Sequence, residues 1–248
     1  MLACSFGQGS DMYRLRAAKF RDDVDPRDLP RYTPADAARY LGINSMTLHH
    51  WVFGRPNKAS YFTPLVHPAD TDNKLLSFNN LAELHILAAT RYEHKVKFDA
   101  IRTAINTLNN KYPSEHPLIS KNFFTNGKDI FIKSIDETEN LSTPGQANLK
   151  PIMEMFLRHI KRDKNQLVER IYPVIRGQAE DRVISIVHGI NSGQPVIDGR
   201  GIPVFIVYGR HVAGESTKSI AKDFGIAESK VKRAIEYVEK KPKIKIAA

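Results

Sequence analysis

Two stretches of this sequence, one near each end, align with each other without a gap, and each has the pattern of two short amphipathic helices joined by a glycine. The first is YTPADAARYLGINSMTLHHWVFGRP and the second is GESTKSIAKDFGIAESKVKRAIEYV. Apolar residues recur at helical spacing on both sides of each glycine. This repeat limits the fold, because both copies should form the same helix, turn and helix. The matched pairs, all at one offset, are Thr33 with Ser216, Ala38 with Ala221, Leu41 with Phe224, Gly42 with Gly225, Ile43 with Ile226 and Leu48 with Val231.

Capping residues predict where these helices begin. Thr33 and Ser216 each carry a hydroxyl that can accept a hydrogen bond from a backbone N–H of the first turn. Pro34 suits the first helical position, and Asp36 completes a pairing with Thr33 that resembles a capping box. Two short helices that meet at a glycine, with a small alanine where they approach each other, predict a helix-turn-helix unit at each end of the chain.

The second helices of the two units differ in chemistry. In the first unit, the helix over 44–52 presents hydroxyl, amide and imidazole groups, which can reach base edges or phosphates, and Trp51 is interpreted as a core residue. In the second unit the helix presents basic side chains, which either contact phosphate or form a solvated charged face. The candidate contacts are Asn44, Ser45, Thr47, His49 and His50 in the first unit and Lys230, Lys232 and Arg233 in the second.

The charge of the chain agrees with a nucleic acid as partner. Lys and Arg number 37 against 27 Asp and Glu, which leaves a net charge of +10 at pH 7. Residues 31–112 carry +4 and residues 181–248 carry +5, whereas 113–180 carries +1 and 1–30 is balanced. The excess positive charge therefore lies in the two regions that contain the predicted helix-turn-helix units, where it would attract phosphate. A basic surface that contacts no nucleic acid is the alternative.

Composition and motifs also limit the class of protein. The single cysteine, Cys4, allows no intramolecular disulfide and suits the reducing cytoplasm, where we expect the protein to act. No segment is long and apolar enough to cross a membrane. We expect no enzyme, cofactor or metal site. The sequence has no Gly-rich phosphate loop, His67, Asp70 and Asp72 form no closed ligand set, and 1–30 is too short for the catalytic domain of a recombinase.

The segment that follows the first unit predicts a wing and a pair of helices. Residues 61–65 and 74–78 are predicted as two short strands that flank a polar loop. A Leu-rich helix should begin at Ser77, and a second helix should cover 98–108.

The middle of the chain, 113–180, predicts a hairpin and a helix. Asn126-Gly127 favours the positive backbone angles of a tight turn, and so predicts the hairpin. An apolar stripe over 149–160 predicts a helix that lies in the core or forms a subunit contact. The second reading is open because readers of duplex DNA commonly act as symmetric dimers.

The order of these elements over 31–112, with LLSFNNLAEL opening one helix and VKFDAIRTAI the next, resembles the MerR-like winged helix-turn-helix domains. The resemblance implies wing contacts to DNA from the loop that holds Arg55 and Lys58. It also implies a contact of Arg91 with the phosphate backbone. Arg91 as a solvated helix residue is the alternative.

The C-terminal part resembles the small domain catalogued as domain of unknown function 433, which is found in antitoxins. The matching motifs are GQPVIDG, IPV, GESTKSIAKDFGI and VKRAIEYV, in that order. One departure is Arg200-Gly201, which stands where that family commonly has Thr-Arg. With the N-terminal unit, the chain resembles a long VapB-type antitoxin of a type II toxin–antitoxin system. This implies that it neutralises a PIN-type ribonuclease and represses the shared promoter. A stand-alone transcription regulator, with a C-terminal domain that senses a ligand or protein, is the alternative.

We therefore expect a mainly α fold with small β elements, in which two helix-turn-helix units are joined by an α/β middle segment. The expected divisions are a charged lead over 1–30, a winged DNA-binding domain over 31–112, a linking or dimerisation segment over 113–180 and an antitoxin-like domain over 181–248. The expected partners are double-stranded operator DNA, a PIN-type toxin and a second copy of the chain. Truncation at residue 180 should separate the two activities.

Overall fold

Helices form most of the fold, and the strands are only two to four residues long. The structure is a computed structural model, and it describes residues 24–56, 61–92, 96–139, 149–174 and 182–239. The helices are α1 (Pro34–Leu41), α2 (Ser45–Phe53), α3 (Phe78–Tyr92), α4 (Phe98–Lys111), α5 (Lys128–Glu139), α6 (Leu149–Arg158), α7 (Val204–Val212), α8 (Thr217–Phe224) and α9 (Glu228–Glu239). The strands are β1 (Arg55–Pro56), β2 (Tyr61–Phe62), β3 (Ile160–Arg162), β4 (Val168–Ile171), β5 (Ile184–Val187), β6 (Val196–Ile197) and β7 (Ile202–Pro203). The expectation of a mainly helical fold with small β elements is confirmed.

Two hydrophobic clusters hold these elements together. The larger cluster packs α1 to α6 with β3 to β5, and fully buried aromatic side chains, among them Trp51, Phe131 and Phe156, lie in it. The smaller cluster packs α7, α8 and α9 against β5 and β6. The core position predicted for Trp51 is thus confirmed.

Five strands form one antiparallel sheet in chain order, from β3 to β7. Arg170 of β4 lies opposite Val187 of β5, and Ile184 of β5 lies opposite Ile197 of β6. The sheet joins the middle segment to the C-terminal part, across the boundary expected at residue 180. Sequence reasoning missed it because the strands are two to four residues long, too short for an alternating pattern to be recognised.

The hairpin predicted at Asn126-Gly127 is wrong, because both residues lie in a π-helical turn, Phe123–Gly127, that leads into α5. Gly127 serves helix packing here, not a tight turn. A Cβ added to it would lie 2.8 Å from Leu108 Cδ1 on α4 and 2.9 Å from the carbonyl oxygen of Asn122. Close approach of two helices, which the local sequence does not reveal, has overridden the turn preference.

The predicted wing is also placed differently. Tyr61 does begin a strand, but β2 pairs with β1, with Pro56 opposite Tyr61, and not with residues 74–78. Leu75 and Leu76 form isolated bridges to Asp70 and Tyr32. The hairpin therefore follows α2 directly, because its two arms are already adjacent in the chain.

The helix predicted from the apolar stripe over 149–160 forms as α6 but ends at Arg158, so the last stripe residue, Ile160, lies in β3. The stripe faces inward, and all of its residues are buried within the chain, so it is not available for a subunit contact. The residues are Leu149, Ile152, Met153, Phe156 and Ile160.

The end of the charged N-terminal lead is anchored to the fold by ion pairs. Arg27 lies 3.2 Å from Asp163, which precedes β4. Asp28 and buried Glu83 hold the two ring nitrogens of His116 at 2.8 and 2.9 Å. Burial would lower the pKa of His116, but hydrogen bonds and charges from these two carboxylates outweigh it and raise the pKa to about 10. Residues 1–23 lie outside the described part of the chain.

Within the described residues, no helix has the length and apolar character needed to cross a bilayer.

Candidate nucleic-acid interface

The first helix pair, α1 and α2, is held by caps at each of its ends. Thr33 Oγ1 accepts from the backbone N–H of Asp36 at 3.1 Å and donates to the Asp36 carboxylate at 2.7 Å. Gly42 ends α1 with φ +64°, a left-handed conformation that favours glycine. Asn44 then caps α2, because its side-chain oxygen accepts from the N–H groups of Met46 and Thr47 at 2.9 and 3.3 Å. The capping predicted for Thr33 is confirmed.

The second pair, α8 and α9, repeats this backbone geometry at the aligned positions. Ser216 Oγ accepts from the N–H of Ser219 at 3.1 Å, and Gly225 ends α8 with φ +61°. The N–H of Ile226 donates to the carbonyl of Ala221 at 3.0 Å, and in the first pair Ile43 donates to Ala38 at the same distance. The gapless sequence repeat is therefore a repeat of caps, left-handed glycine and hydrogen bonds.

The helix α2 has one face in the core and one face in solvent. Thr47, Leu48, Trp51 and Val52 are buried. The exposed residues Ser45, Met46 and His49 are neighbours on the opposite face because of their helical spacing.

This division sorts the residues predicted to contact DNA. Ser45 and His49 are exposed, and His50 is half-buried. Asn44 uses its side-chain oxygen for the cap, and Thr47 is 2% exposed, so neither offers that oxygen or hydroxyl on the exposed face. Thr47 as a base contact is therefore corrected to a core position.

The charge around α2 is compatible with a phosphate backbone nearby. The first turn of α2 has no acidic residue, whereas α1 and α9 have Asp36 and Glu228 there, where a carboxylate stabilises the helix dipole. The His49 ring packs on Phe53 at 4.9 Å between centroids, and the ammonium group of Lys74 lies 5.9 Å from the Phe53 centroid. The exposed residues Ser45, Met46 and His49 thus include no carboxylate, and a cation lies at the edge of this face.

Two of the three basic candidates on α9 form ion pairs within that helix. Lys232 pairs with Glu228 at 2.9 Å, and Arg233 pairs with Glu236 at 2.6 Å. The side chain of Lys232 is 59% exposed and that of Arg233 is 17% exposed, and Lys230 is half-buried. An exposed pair contributes little stability, so Lys232 can exchange Glu228 for another anion.

The residues taken from the winged-domain resemblance are only partly placed. Arg55 begins β1, at the base of the hairpin, and Arg91 lies near the end of α3, but both side chains are outside the description. Lys58 is outside the described residues altogether.

A seam joins α1 to the C-terminal helices. The hydroxyl of Tyr237, on α9, donates to the backbone carbonyl of Tyr40 at 2.6 Å. The guanidinium of Arg39 lies 4.6 Å from the ring centroid of Phe205, on α7, and the Tyr40 ring lies 6.1 Å from the same ring. Burial raises the pKa of Tyr237, so its hydroxyl stays protonated and remains a donor.

A second contact of the seam lies just before α1. Gly193 has φ +72°, and a Cβ there would lie 2.0 Å from the hydroxyl of Tyr32. The seam therefore contacts both the start and the end of α1, the helix that precedes α2.

Sequence reasoning missed Met46, Arg39 and Tyr237. For Met46 a signal was present, because the buried positions 47, 48, 51 and 52 define the opposite face of α2. For Arg39 and Tyr237 there was none, since their partners are far away in sequence.

Comparison with known proteins adds a family match at the C-terminal end. Residues 184–238 match the family described as protein of unknown function, DUF433. The match covers the sheet strands β5 to β7 and the helices α7 to α9 up to Val238. The resemblance predicted from the C-terminal motifs is confirmed.

Two proteins of Mycobacterium tuberculosis strain H37Rv are similar over most of the chain. One, named "Putative antitoxin VapB45", is 29% identical over 232 residues, which cover 85% of this chain and 95% of that protein. The other, named "Uncharacterized protein Rv2308", is 23% identical over 220 residues, which cover 84% and 90%.

The crystal structure of Rv2018 from Mycobacterium tuberculosis has a similar fold. Its TM-score is 0.61 at 24% sequence identity, over 84% of this chain and 97% of that chain. Most of the chain thus has a fold that another protein shares.

Proposed function

We propose that this protein is an antitoxin of a type II toxin–antitoxin pair, which binds operator DNA through the exposed face of α2 and neutralises a PIN-type ribonuclease through its C-terminal helices. The observation that carries the antitoxin role is the similarity to the protein named as an antitoxin, which extends over 95% of that protein. The PIN-type toxin and the repression of a promoter come from the resemblance to VapB-type antitoxins alone.

The DNA half of the proposal rests on α2. Its exposed face carries a hydroxyl at Ser45 and an imidazole at His49, and both can hydrogen-bond to base edges or phosphates. Its first turn lacks the carboxylate that would repel phosphate. Together these features fit a recognition helix in the major groove.

The toxin half rests on the surfaces of the C-terminal helices. On α9, Lys230, Lys232 and Arg233 would attract the acidic active site of a PIN-type ribonuclease as readily as they attract phosphate. On α7, which packs in the same cluster as α9, Ile206 and Val212 are 54% and 66% exposed, and so offer apolar surface for a contact.

The stand-alone regulator stays the second candidate, and one observation favours it. The seam between Tyr237 and Tyr40 would pass a ligand-induced movement of the C-terminal helices directly to α1. The two candidates differ in the partner of the C-terminal helices, which is a toxin in one case and a sensed ligand or protein in the other.

Co-expression separates these candidates. The full chain is produced with and without the gene next to it, and growth, copurification and nuclease protection of bound DNA are measured. The proposal expects that the neighbouring gene alone stops growth, that the full chain restores it, and that the two proteins copurify. Normal growth with the neighbour alone, together with a clear DNA footprint for this chain, would favour the stand-alone regulator.

Substitutions on α2 test the DNA half. Replacing Ser45 and His49 by Ala should weaken operator binding far more than binding to random DNA, because each lost base contact removes about 1–3 kcal/mol of discrimination. His67→Ala is the control, since His67 is an exposed histidine in the segment between β2 and α3 and is not part of α2. Equal losses on operator and random DNA would contradict sequence reading by α2.

A further inference from the structure

Met46 is the feature of α2 that the proposed contacts do not use. It is 65% exposed, in the first turn of α2, between Ser45 and His49 on the solvent face. An apolar side chain there stays in water instead of joining the core, although the buried residues of the same helix lie directly beside it in sequence.

The fold does not require a methionine at this position. In the aligned second unit, the equivalent residue is Ser229, which is also exposed in the first turn of its helix. The first helices of the two units share a hydroxyl cap and a left-handed glycine, and the turns share a backbone hydrogen bond, although the Asn44 cap of α2 has Ala227 at the aligned position. An exposed polar residue is therefore compatible with this place in the first turn. The helix dipole gives no reason for it either, since a first turn favours an acidic residue.

We propose that Met46 contacts the C5-methyl group of a thymine in the major groove, and so selects a T·A pair in the operator. The inference rests on the proposed DNA binding by α2. The N-terminal residues of a recognition helix are those that contact base edges. The thymine methyl is the apolar group that the major groove presents, and a flexible, polarisable thioether can pack on it.

The position also explains the division of labour on the exposed face. Ser45 and His49 supply hydrogen bonds, which distinguish donors from acceptors, whereas Met46 supplies a contact that distinguishes thymine from cytosine by its methyl group. Reading by this helix then needs no Lys, Arg, Asp or Glu at a base edge, in agreement with the exposed residues of α2, which include none of these.

The test removes the methyl group from the DNA and the thioether from the protein, separately and together. The operator is first selected from random-sequence duplexes with the full chain. Each thymine in the selected site is then replaced, one at a time, by deoxyuridine, which lacks only the methyl. Affinities are measured for the wild type, Met46→Ser, Met46→Leu and His49→Ala.

At the thymine that Met46 contacts, the wild type should bind the deoxyuridine duplex about fourfold more weakly, the factor for burying one methyl group. Met46→Ser should show no such loss there. Met46→Leu, which keeps an apolar side chain, and His49→Ala, which changes a neighbour, should both retain it. Because Ser229 occupies the equivalent position, Met46→Ser should keep the melting temperature of the wild type.

The inference is overturned if no thymine gives a loss, or if the wild type and Met46→Ser lose equally at every thymine. It is also overturned if Met46→Ser changes the oligomeric state of the free protein, since Met46 would then serve a subunit contact. These results leave the proposed function intact, provided that an operator was selected. If no duplex is selected at all, the DNA half of the proposed function fails, and this inference fails with it.

Discussion

Replacing Tyr237 by Phe tests whether the C-terminal helices support the first helix pair. The ring of Tyr237 is nearly buried, and Phe keeps its packing while it removes only the hydroxyl. That hydroxyl donates to the carbonyl of Tyr40 at 2.6 Å. The carbonyl belongs to the last turn of α1, where backbone carbonyls lack partners within the helix. The substitution therefore leaves a buried acceptor without this donor.

The expected cost follows from that loss. A buried acceptor that loses its partner destabilises a protein by about 1–3 kcal/mol. Urea denaturation of Tyr237→Phe should show a lower midpoint and an unchanged m-value, since the surface exposed on unfolding stays the same. Tyr208→Phe is the matched control, because Tyr208 lies on α7 in the same cluster but is partly exposed. We expect its change to stay within about 0.5 kcal/mol.

Operator binding gives a second readout of the same substitution. The carbonyl of Tyr40 lies two residues before Gly42, whose left-handed conformation directs α2. Tyr237→Phe should therefore weaken operator binding, while Tyr208→Phe should not. The reasoning is refuted if the two variants have the same unfolding midpoint, or if Tyr237→Phe binds the operator as tightly as the wild type.

Three further substitutions test other parts of the structure. Gly127→Ala should destabilise the protein by about 1–3 kcal/mol in urea denaturation, because its Cβ would clash with the carbonyl of Asn122. Gly209→Ala, whose Cβ meets nothing within 4 Å in α7, should instead stabilise the protein by up to about 1 kcal/mol. A loss of stability in both variants would contradict this reasoning. The difference in unfolding free energy between the wild type and His116→Asn should be largest near pH 6.5 and shrink toward pH 10, by at most ~1.4 kcal/mol per pH unit. The reason is that the folded-state pKa of His116, about 10, exceeds the unfolded value of 6.5. A constant difference from pH 6.5 to 9 would show that the ion pairs contribute nothing. Replacing Ile206 and Val212 by Asp should abolish copurification with the neighbouring gene product and leave the operator footprint unchanged, and intact copurification would exclude α7 as the toxin contact.

Truncation at residue 180 is not the clean separation that the sequence suggested. It would remove β5, which pairs with β4, and the Tyr237 hydroxyl, which caps α1. We therefore expect residues 1–180 alone to bind the operator poorly, and point substitutions are the better test of separate activities. Charge reversal at Lys230, Lys232 and Arg233 is one such test. Loss of toxin binding with an unchanged salt dependence of operator affinity favours toxin contact, and a shallower salt dependence favours DNA.

Several features of the site could be predicted from the sequence because they depend on neighbours in the chain. A hydroxyl at Thr33 can reach only the N–H groups of the next turn, and the observed cap is at 3.1 Å. Gly42 and Gly225 end their helices in a left-handed conformation, which glycine adopts without steric strain because it has no Cβ. The repeat, the helix starts and the core role of Trp51 follow from such local rules.

Contacts between distant residues decided the rest. Gly127 lies inside a helical segment that packs against Leu108 of α4, where there is no room for a side chain. This packing overrode the turn preference of Asn-Gly. The stripe over 149–160 could have faced a second copy, but the helices around it in the same chain cover it. The sheet and the Tyr237 hydrogen bond likewise join residues that the sequence keeps far apart.

The sequence by itself determined that two capped helix pairs of the same design lie at the two ends of the chain, since periodicity, caps and glycines act over a few residues. The tertiary structure alone decided that the two pairs are joined. It placed α7 and α9 against α1, and so made the C-terminal helices part of the support for α2. The physical reason is that hydrogen-bonding and packing partners across the seam are selected by the fold as a whole, and local propensity carries no information about them.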